Sequence, residues 1–327
     1  MKPYWSKRAM TFDRLAILYI APIAVLMMIA GPLHATLPAD TLYVTNSGSN
    51  SIGMVDEATG AVSPFVPGTA GLDEPFGIVF APNHDLYVAN QGNGTISQIT
   101  LGGVVTGTFA TIGSLPDGMA VNSAGDLFAA NFGSGTISEV PTTGPDAGQA
   151  ITFASDLGNP TGVAFSPNGT LYVAVESGDI YTLSTSGSAT LYTFVGTNTN
   201  PTGMAFDSQS NLYVSLLGPV PGEVFKYTSP SAETTFAGNF NDPEGLAFDS
   251  DGNLIVADLG NGSGGANSSN EITIVDSSGA FVENISGFAD PAYMVDVSIP
   301  EPSPWVALAV CLPGLFLIGR SRKRHAG

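Results

Sequence analysis

The chain repeats one line of sequence every 41–48 residues, and that spacing limits its fold more sharply than any other feature. The line reads EPFGIVFAPNHDLYVAN (74–90), LPDGMAVNSAGDLFAAN (115–131), NPTGVAFSPNGTLYVAV (159–175), NPTGMAFDSQSNLYVSL (200–216) and DPEGLAFDSDGNLIVAD (242–258). A sixth copy, DPAYMVDVSIP (290–300), gives only the first half; the missing second half, TLYVTN (41–46), stands at the other end of the chain. In each copy a short β-forming run follows Pro-x-Gly, a Pro-Asn-Gly or Ser-Asp-Gly type turn supplies a positive φ, and Leu-Tyr-Val makes a second strand. Weaker strands follow, such as 135–140 and 234–236, so each period holds four short strands. That is the pattern of a propeller blade. The divided sixth copy predicts an all-β, six-bladed β-propeller whose N- and C-terminal strands share one blade and close the ring, which removes exposed sheet edges. The strand at 292–298 runs away from its Pro-x-Gly turn, so Pro300 is expected on the face opposite those turns.

Charge is distributed unevenly. Of 28 acidic residues, 26 fall between 36 and 299 against the single Lys226, so this stretch carries −25. Such a body repels phosphate backbones and has no basic stripe, which excludes nucleic acid as a partner. It keeps the protein soluble and attracts cations, while the regular apolar strands oppose a disordered reading. Cys311, the one cysteine, lies in a terminal apolar run, so the body can form neither a disulfide nor a thiolate metal site. Three histidines are present, His34, His84 and His325, and only His84 falls in the body. A His general base, a Ser-His-Asp triad, a His-ligated zinc or a lyase His pair would have to use that one hairpin residue.

The two ends read as handling signals. Lys2, Lys7, Arg8 and Arg14 precede the apolar run 15–31, and PLHA then ends at Ala35. This order is that of a secretory signal (1–35) removed by signal peptidase, with an uncleaved anchor as the alternative. At the C-terminus Pro300, Glu301 and Pro302 precede an apolar stretch, 305–319, and then Arg320, Arg322, Lys323 and Arg324. The stretch is marginal for crossing a membrane, and the basic cluster after it stays cytoplasmic by the positive-inside rule. This three-part order over 300–327 resembles a PEP-CTERM sorting tail. The resemblance implies a Gram-negative bacterium that makes exopolysaccharide, transient membrane anchoring by the C-terminal helix, and cleavage near Pro-Glu-Pro by an exosortase-type protease. The protein would then reach the cell surface, the extracellular matrix or the medium. A permanent tail anchor is the competing reading.

The repeated line is similar to the NHL repeat and to blades of gluconolactonase-type (senescence-marker-like) propellers, over about 260 residues, 36–299. In the latter, the x of some Pro-x-Gly turns faces the channel mouth and binds a divalent metal. The matching positions here are Phe76, Asp117, Thr161, Thr202, Glu244 and Ala292. Asp117 and Glu244 are the candidate ligands for Ca²⁺ or Mg²⁺ and the alternative catalytic residues, since a bound metal could polarise an ester carbonyl. They come from the second and fifth repeats, which places them on opposite sides of a six-bladed ring, and Thr161 and Thr202 stand where the family pattern has its Asn ligand. The residues before the prolines, Glu74, Asn159, Asn200, Asp242 and Asp290, are expected around the same mouth, as turn formers or as binders of a cation or sugar hydroxyls. Asn46, Asn90, Asn131, Glu176 and Asp258, after the second strand, read as turn residues. Asp249-Ser-Asp251-Gly-Asn253 resembles half a calcium loop, but turn chemistry accounts for it and Gly260 occupies the position of the closing Glu. Two functions fit: a non-catalytic exported propeller that binds polysaccharide, protein or a cation, and a metal-dependent lactonase-like hydrolase.

Overall fold

The computed structural model describes residues 41–196, 199–218, 221–259 and 270–297. The segments read as a signal (1–35) and a sorting tail (300–327), with the expected exit at Pro300, and nearly all of the Gly/Ser/Asn-rich insertion 260–270 lie outside the described residues.

Among the described residues the strands form six antiparallel four-stranded sheets. Blade II contains β4 (Pro75–Phe80), β5 (Leu86–Asn90), β6 (Thr95–Ile99) and β7 (Val105–Thr111). Blade III contains β8 (Pro116–Val121), β9 (Leu127–Asn131), β10 (Thr136–Val140) and β11 (Ile151–Ala154). Blade IV contains β12 (Pro160–Phe165), β13 (Leu171–Val175), β14 (Asp179–Leu183) and β15 (Ala189–Phe194). Blade V contains β16 (Asn200–Phe206), β17 (Leu212–Leu217), β18 (Gly222–Ser229) and β19 (Ala232–Phe240). Blade VI contains β20 (Pro243–Phe248), β21 (Leu254–Asp258), β22 (Glu271–Val275) and β23 (Phe281–Ser286). Blade I takes β1 (Thr41–Asn46), β2 (Ser51–Asp56) and β3 (Ala61–Val66) from one end, and its innermost strand, β24 (Pro291–Val297), from the other.

Closure is therefore as expected. Thr41 pairs with Val297, Leu42 with Asp296, Tyr43 with Val295 and Val44 with Met294. The Thr45 hydroxyl secures the joint, accepting from the Tyr293 amide at 3.0 Å and donating to the Phe76 carbonyl of blade II at 2.7 Å. Each innermost strand packs against the next around the ring, from β24 through β4, β8, β12, β16 and β20 back to β24. The result is a closed six-bladed propeller.

Why the second strand of every copy is so apolar is clear from its place. Leu127–Asn131 and its equivalents are sandwiched between neighbouring blades and buried on both faces. Outer strands such as Ile151–Ala154 are largely exposed. Blades are joined by aromatic side chains: Phe128 meets Phe153 of its own blade and Phe165 of the next, both at 5.1 Å edge to face. Tyr172 with Tyr192 and Phe206, and Tyr213 with Phe236 and Phe248, repeat the arrangement at 4.9–5.1 Å. Each such pair adds about 0.5–1.5 kcal/mol beyond area burial.

The glycine of Pro-x-Gly has a specific cause. The pairing register shifts there in blades II to VI, a β-bulge that turns the x residue into the bore. A Cβ on Gly162 would collide with the Thr202 carbonyl, and one on Gly203 with the Glu244 carbonyl. Only a residue without a side chain lets adjacent inner strands approach this closely. The hairpin turns are equally determined: Gly125, Gly169 and Gly252 hold the left-handed position, and His84 (φ 66°) and Ser210 (φ 67°) occupy the same place in their copies. In 249–253 the Asp249 carboxylate accepts the Asn253 amide nitrogen at 2.7 Å and its side-chain NH₂ at 2.8 Å, so the half calcium loop is a turn, as read from the sequence.

Candidate functional site

The bulge at each Pro-x-Gly aims Asp117 and Glu244 into the central bore. Asp117 is 8% exposed and Glu244 is half-buried. They stand in blades III and VI, on opposite sides of the ring as blade counting sets them, and the Asp117 charge still acts on Glu244.

Near both stands a residue the sequence reading passed over. The sixth copy reads Pro-Ala-Tyr, so Tyr293 stands where the other five have glycine. Its side chain is 8% exposed and crosses from blade I, where its hydroxyl donates to the Thr202 carbonyl of blade V at 3.4 Å. The same hydroxyl lies against Gly118 of blade III and within hydrogen-bonding reach of the Asp117 carboxyl. Tyr293 thus fills the bore. The available signal was a bulky aromatic at a glycine position of a repeat.

Burial dominates the electrostatics. It pushes the Asp117 carboxyl up to about 7, and the Tyr293 phenol pulls only partly against it. Glu244 is raised well above the ordinary carboxylate range, first by burial, then by the charges of Asp117 and Asp242. Tyr293 is raised in turn by burial and by both carboxylates. Both carboxyls are therefore harder to ionise than ordinary ones, and their titrations are linked. One atom is left over: Asp117 Oδ1 is buried with no hydrogen-bond partner.

The remaining bore positions are structural. Thr161 donates to the Pro201 carbonyl at 2.6 Å and Thr202 to the Pro243 carbonyl at 2.8 Å, tying each inner strand to the next. Ser215 adds a bond to the Glu244 carbonyl at 2.6 Å. Phe76 and Ala292 offer no side-chain donor atoms. Ca²⁺ takes six to eight oxygens and Mg²⁺ a regular octahedron. Two protonatable carboxyls beside a phenol do not match either, and among the described residues no three His, Cys, Asp or Glu side chains are grouped to hold a metal ion. The donor set does not fit the divalent ion that the resemblance implies.

Around the mouth, Glu74, Asn159 and Asp290 are exposed, while Asn200 and Asp242 are half-buried. Each immediately precedes or begins an inner strand. Several are committed to turns: Asn159 donates to Glu176 at 2.6 Å, Asp290 accepts from Asn270 at 2.8 Å, and the Asp242 amide donates to Asp258 at 2.9 Å. Asp258, Asn90 and Asn46 each accept main-chain N–H groups of the loop leading into an inner strand. This explains why Asn or Asp recurs after the second strand, as a turn cap. Asn200 Oδ1 is buried without a partner. His84, the sole histidine among the described residues, serves its turn and packs 6.0 Å from the Phe80 ring.

A family model of the NHL repeat matches residues 240–263, which span the loop, inner strand and second strand of blade VI. The fold is a six-bladed β-propeller, and one stretch of it matches the NHL repeat. Solved structures of several differently named proteins share this propeller fold. It is similar to a chain of a nidogen/laminin complex (TM-score 0.65, 16% identity, 80% of this chain and 98% of that one). It is also similar to a gluconolactonase from Xanthomonas campestris (TM-score 0.59, 15% identity, 82% and 96%). A third is virginiamycin B lyase from Staphylococcus aureus (TM-score 0.54, 14% identity, 79% and 86%). No curated protein sequence matches the chain. Likeness at this identity concerns the fold, which hosts many unrelated chemistries.

Proposed function

We propose that the protein is an exported, non-catalytic binding propeller of the bacterial surface or matrix. The observation that carries this reading is Tyr293. Where the resemblance puts metal and substrate, the protein's own phenol reaches across the bore beside two carboxyls that burial makes hard to ionise. Binding is then a property of the ring's outer surfaces, and the strongly acidic body favours neutral or cationic partners over polyanions. The N-terminal signal, the Pro300-Glu301-Pro302 motif and the basic end of the chain support export, transient anchoring and exosortase-type processing. The partner is then extracellular polysaccharide or a surface protein.

The test has two parts. The full chain is expressed in an exosortase-bearing Gram-negative host, with and without Glu301→Ala, and the cell envelope and medium are probed for the processed form. Purified protein is assayed for lactone hydrolysis with and without Ca²⁺ or Mg²⁺. Processing that depends on Glu301, with no metal-stimulated hydrolysis, is the expected result. A second reading, the metal-dependent lactonase, draws on the unpartnered Asp117 Oδ1; stoichiometric metal with activity lost in Asp117→Asn and Glu244→Gln would establish it instead.

A further inference from the structure

On the face opposite the mouth, the hairpin turns of blades V and VI leave a groove of about 430 Å³ between them. It belongs to the size range that takes small ligands. Its walls are the half-buried rings of Phe206, Phe236 and Phe248, arranged around the buried Tyr213. Its polar groups are held in place. Lys226 lies over the Tyr213 ring at 5.0 Å and is tied to Asp207 Oδ2 at 3.6 Å. Asp207 in turn accepts the amides of Gln209 at 2.9 Å and Asn211 at 2.8 Å, which with Lys226 hold its carboxyl below the ordinary value against its partial burial.

The groove is chemically unlike its counterparts. Every blade packs its second strand in the same way, but the residue across from that strand's central side chain differs. Opposite Tyr87, Phe128 and Tyr172 stand Gln98, Glu139 and Thr182; only opposite Tyr213 is there a cation, Lys226. It is the single Lys or Arg among the described residues. A packing role alone does not need an ammonium there, since the other five blades do without one.

We propose that this groove binds a neutral saccharide. Pyranose rings combine flat C–H faces with equatorial hydroxyls. The three phenyl rings provide the first complement, and the second comes from an ammonium with a donor to spare, the Gln209 amide and the exposed Asp251 carboxylate. Charge selects against acidic sugars: Asp207, Asp249 and Asp251 outnumber Lys226 in the groove, and the surrounding body is strongly negative. The proposal rests on the binding reading above and gives that reading a ligand class and a location.

The test uses the full-length chain titrated calorimetrically with neutral hexasaccharides (gluco-, manno- and galacto-configured) and with a uronate hexamer, at low and high salt. At least one neutral hexasaccharide is expected to bind saturably and independently of salt, and the uronate hexamer not at all. Three variants probe the groove: Gln209→Trp and Ser250→Trp, which fill it from exposed positions, and Lys226→Met, which keeps the stem over Tyr213. Each is expected to weaken binding about ten-fold or more, with the thermal melt confirming the fold. Neutral-sugar binding untouched by all three variants overturns the groove assignment and leaves the binding reading intact. Binding of the uronate alone, or of no saccharide, also overturns the assignment. Metal-dependent lactone hydrolysis abolished by Asp117→Asn would overturn the underlying reading as well.

Discussion

Asp117→Asn is expected to make the protein more stable, and only above acidic pH. The native carboxyl titrates at about 7 against an ordinary 3.8. Between those values the folded chain keeps a proton that the unfolded chain has released. Stability of the wild type therefore falls as pH rises through this window, at about 1.4 kcal/mol per pH unit for one proton, and levels off beyond it. The full gap corresponds to about 4 kcal/mol; relaxation of the surroundings reduces this, so about 2–4 kcal/mol is the expected cost of the ionised carboxylate. Asn is nearly isosteric, carries no charge and can still accept from the Tyr293 phenol. Wild type and variant should then differ little at pH 4 and diverge steadily to favour the variant by that amount at pH 8. Urea unfolding followed by circular dichroism across this range measures the difference directly. A variant less stable than wild type at pH 8, or a difference that does not change with pH, would refute the reasoning. It would mean that Asp117 is ionised and compensated, as a bound cation would do.

Removing only the Tyr293 hydroxyl, as Phe, should raise the Asp117 titration further, because the phenol stabilises its charged form; carbon-detected NMR of the carboxyl reads this. Tyr293→Gly restores the repeat but empties the bore, and should lower stability by about 3–5 kcal/mol in chemical denaturation. Gly162→Ala drives a methyl into the Thr202 carbonyl and is expected to cost at least about 1–3 kcal/mol by the same measurement. Thr161→Val leaves the Pro201 carbonyl unpaired in the throat, for a loss of about 1–3 kcal/mol.

The architecture was legible because repetition samples the same physical problem six times. Leu-Tyr-Val recurs because every second strand is buried between two blades, and Pro-x-Gly recurs because every inner strand bulges against its neighbour. The half-copy at each terminus carried the closure. The bore was harder to read, since it is built from the one position where the repetition fails. Tyr293 looks like a degenerate copy in the sequence, and only the ring shows that a side chain starting in blade I ends between blades III and V. Blade number gives the angle around the axis, which sets Asp117 across the ring from Glu244, but it does not say which side chain stands beside them. The groove at Lys226 was invisible because its parts, 206–209, 213, 226, 236 and 248–252, belong to two repeats and meet only through packing.

The joint in blade I has a mechanical consequence. Thr41 and Val297 are opposite each other, so the chain enters and leaves the ring at one corner of one sheet. Tension applied across those two ends peels β24 from β1 one rung at a time rather than shearing the whole ladder at once. Held by both ends, the toroid opens like a zipper; held by its C-terminal end alone, it carries no load across that seam and can swing as a rigid disc.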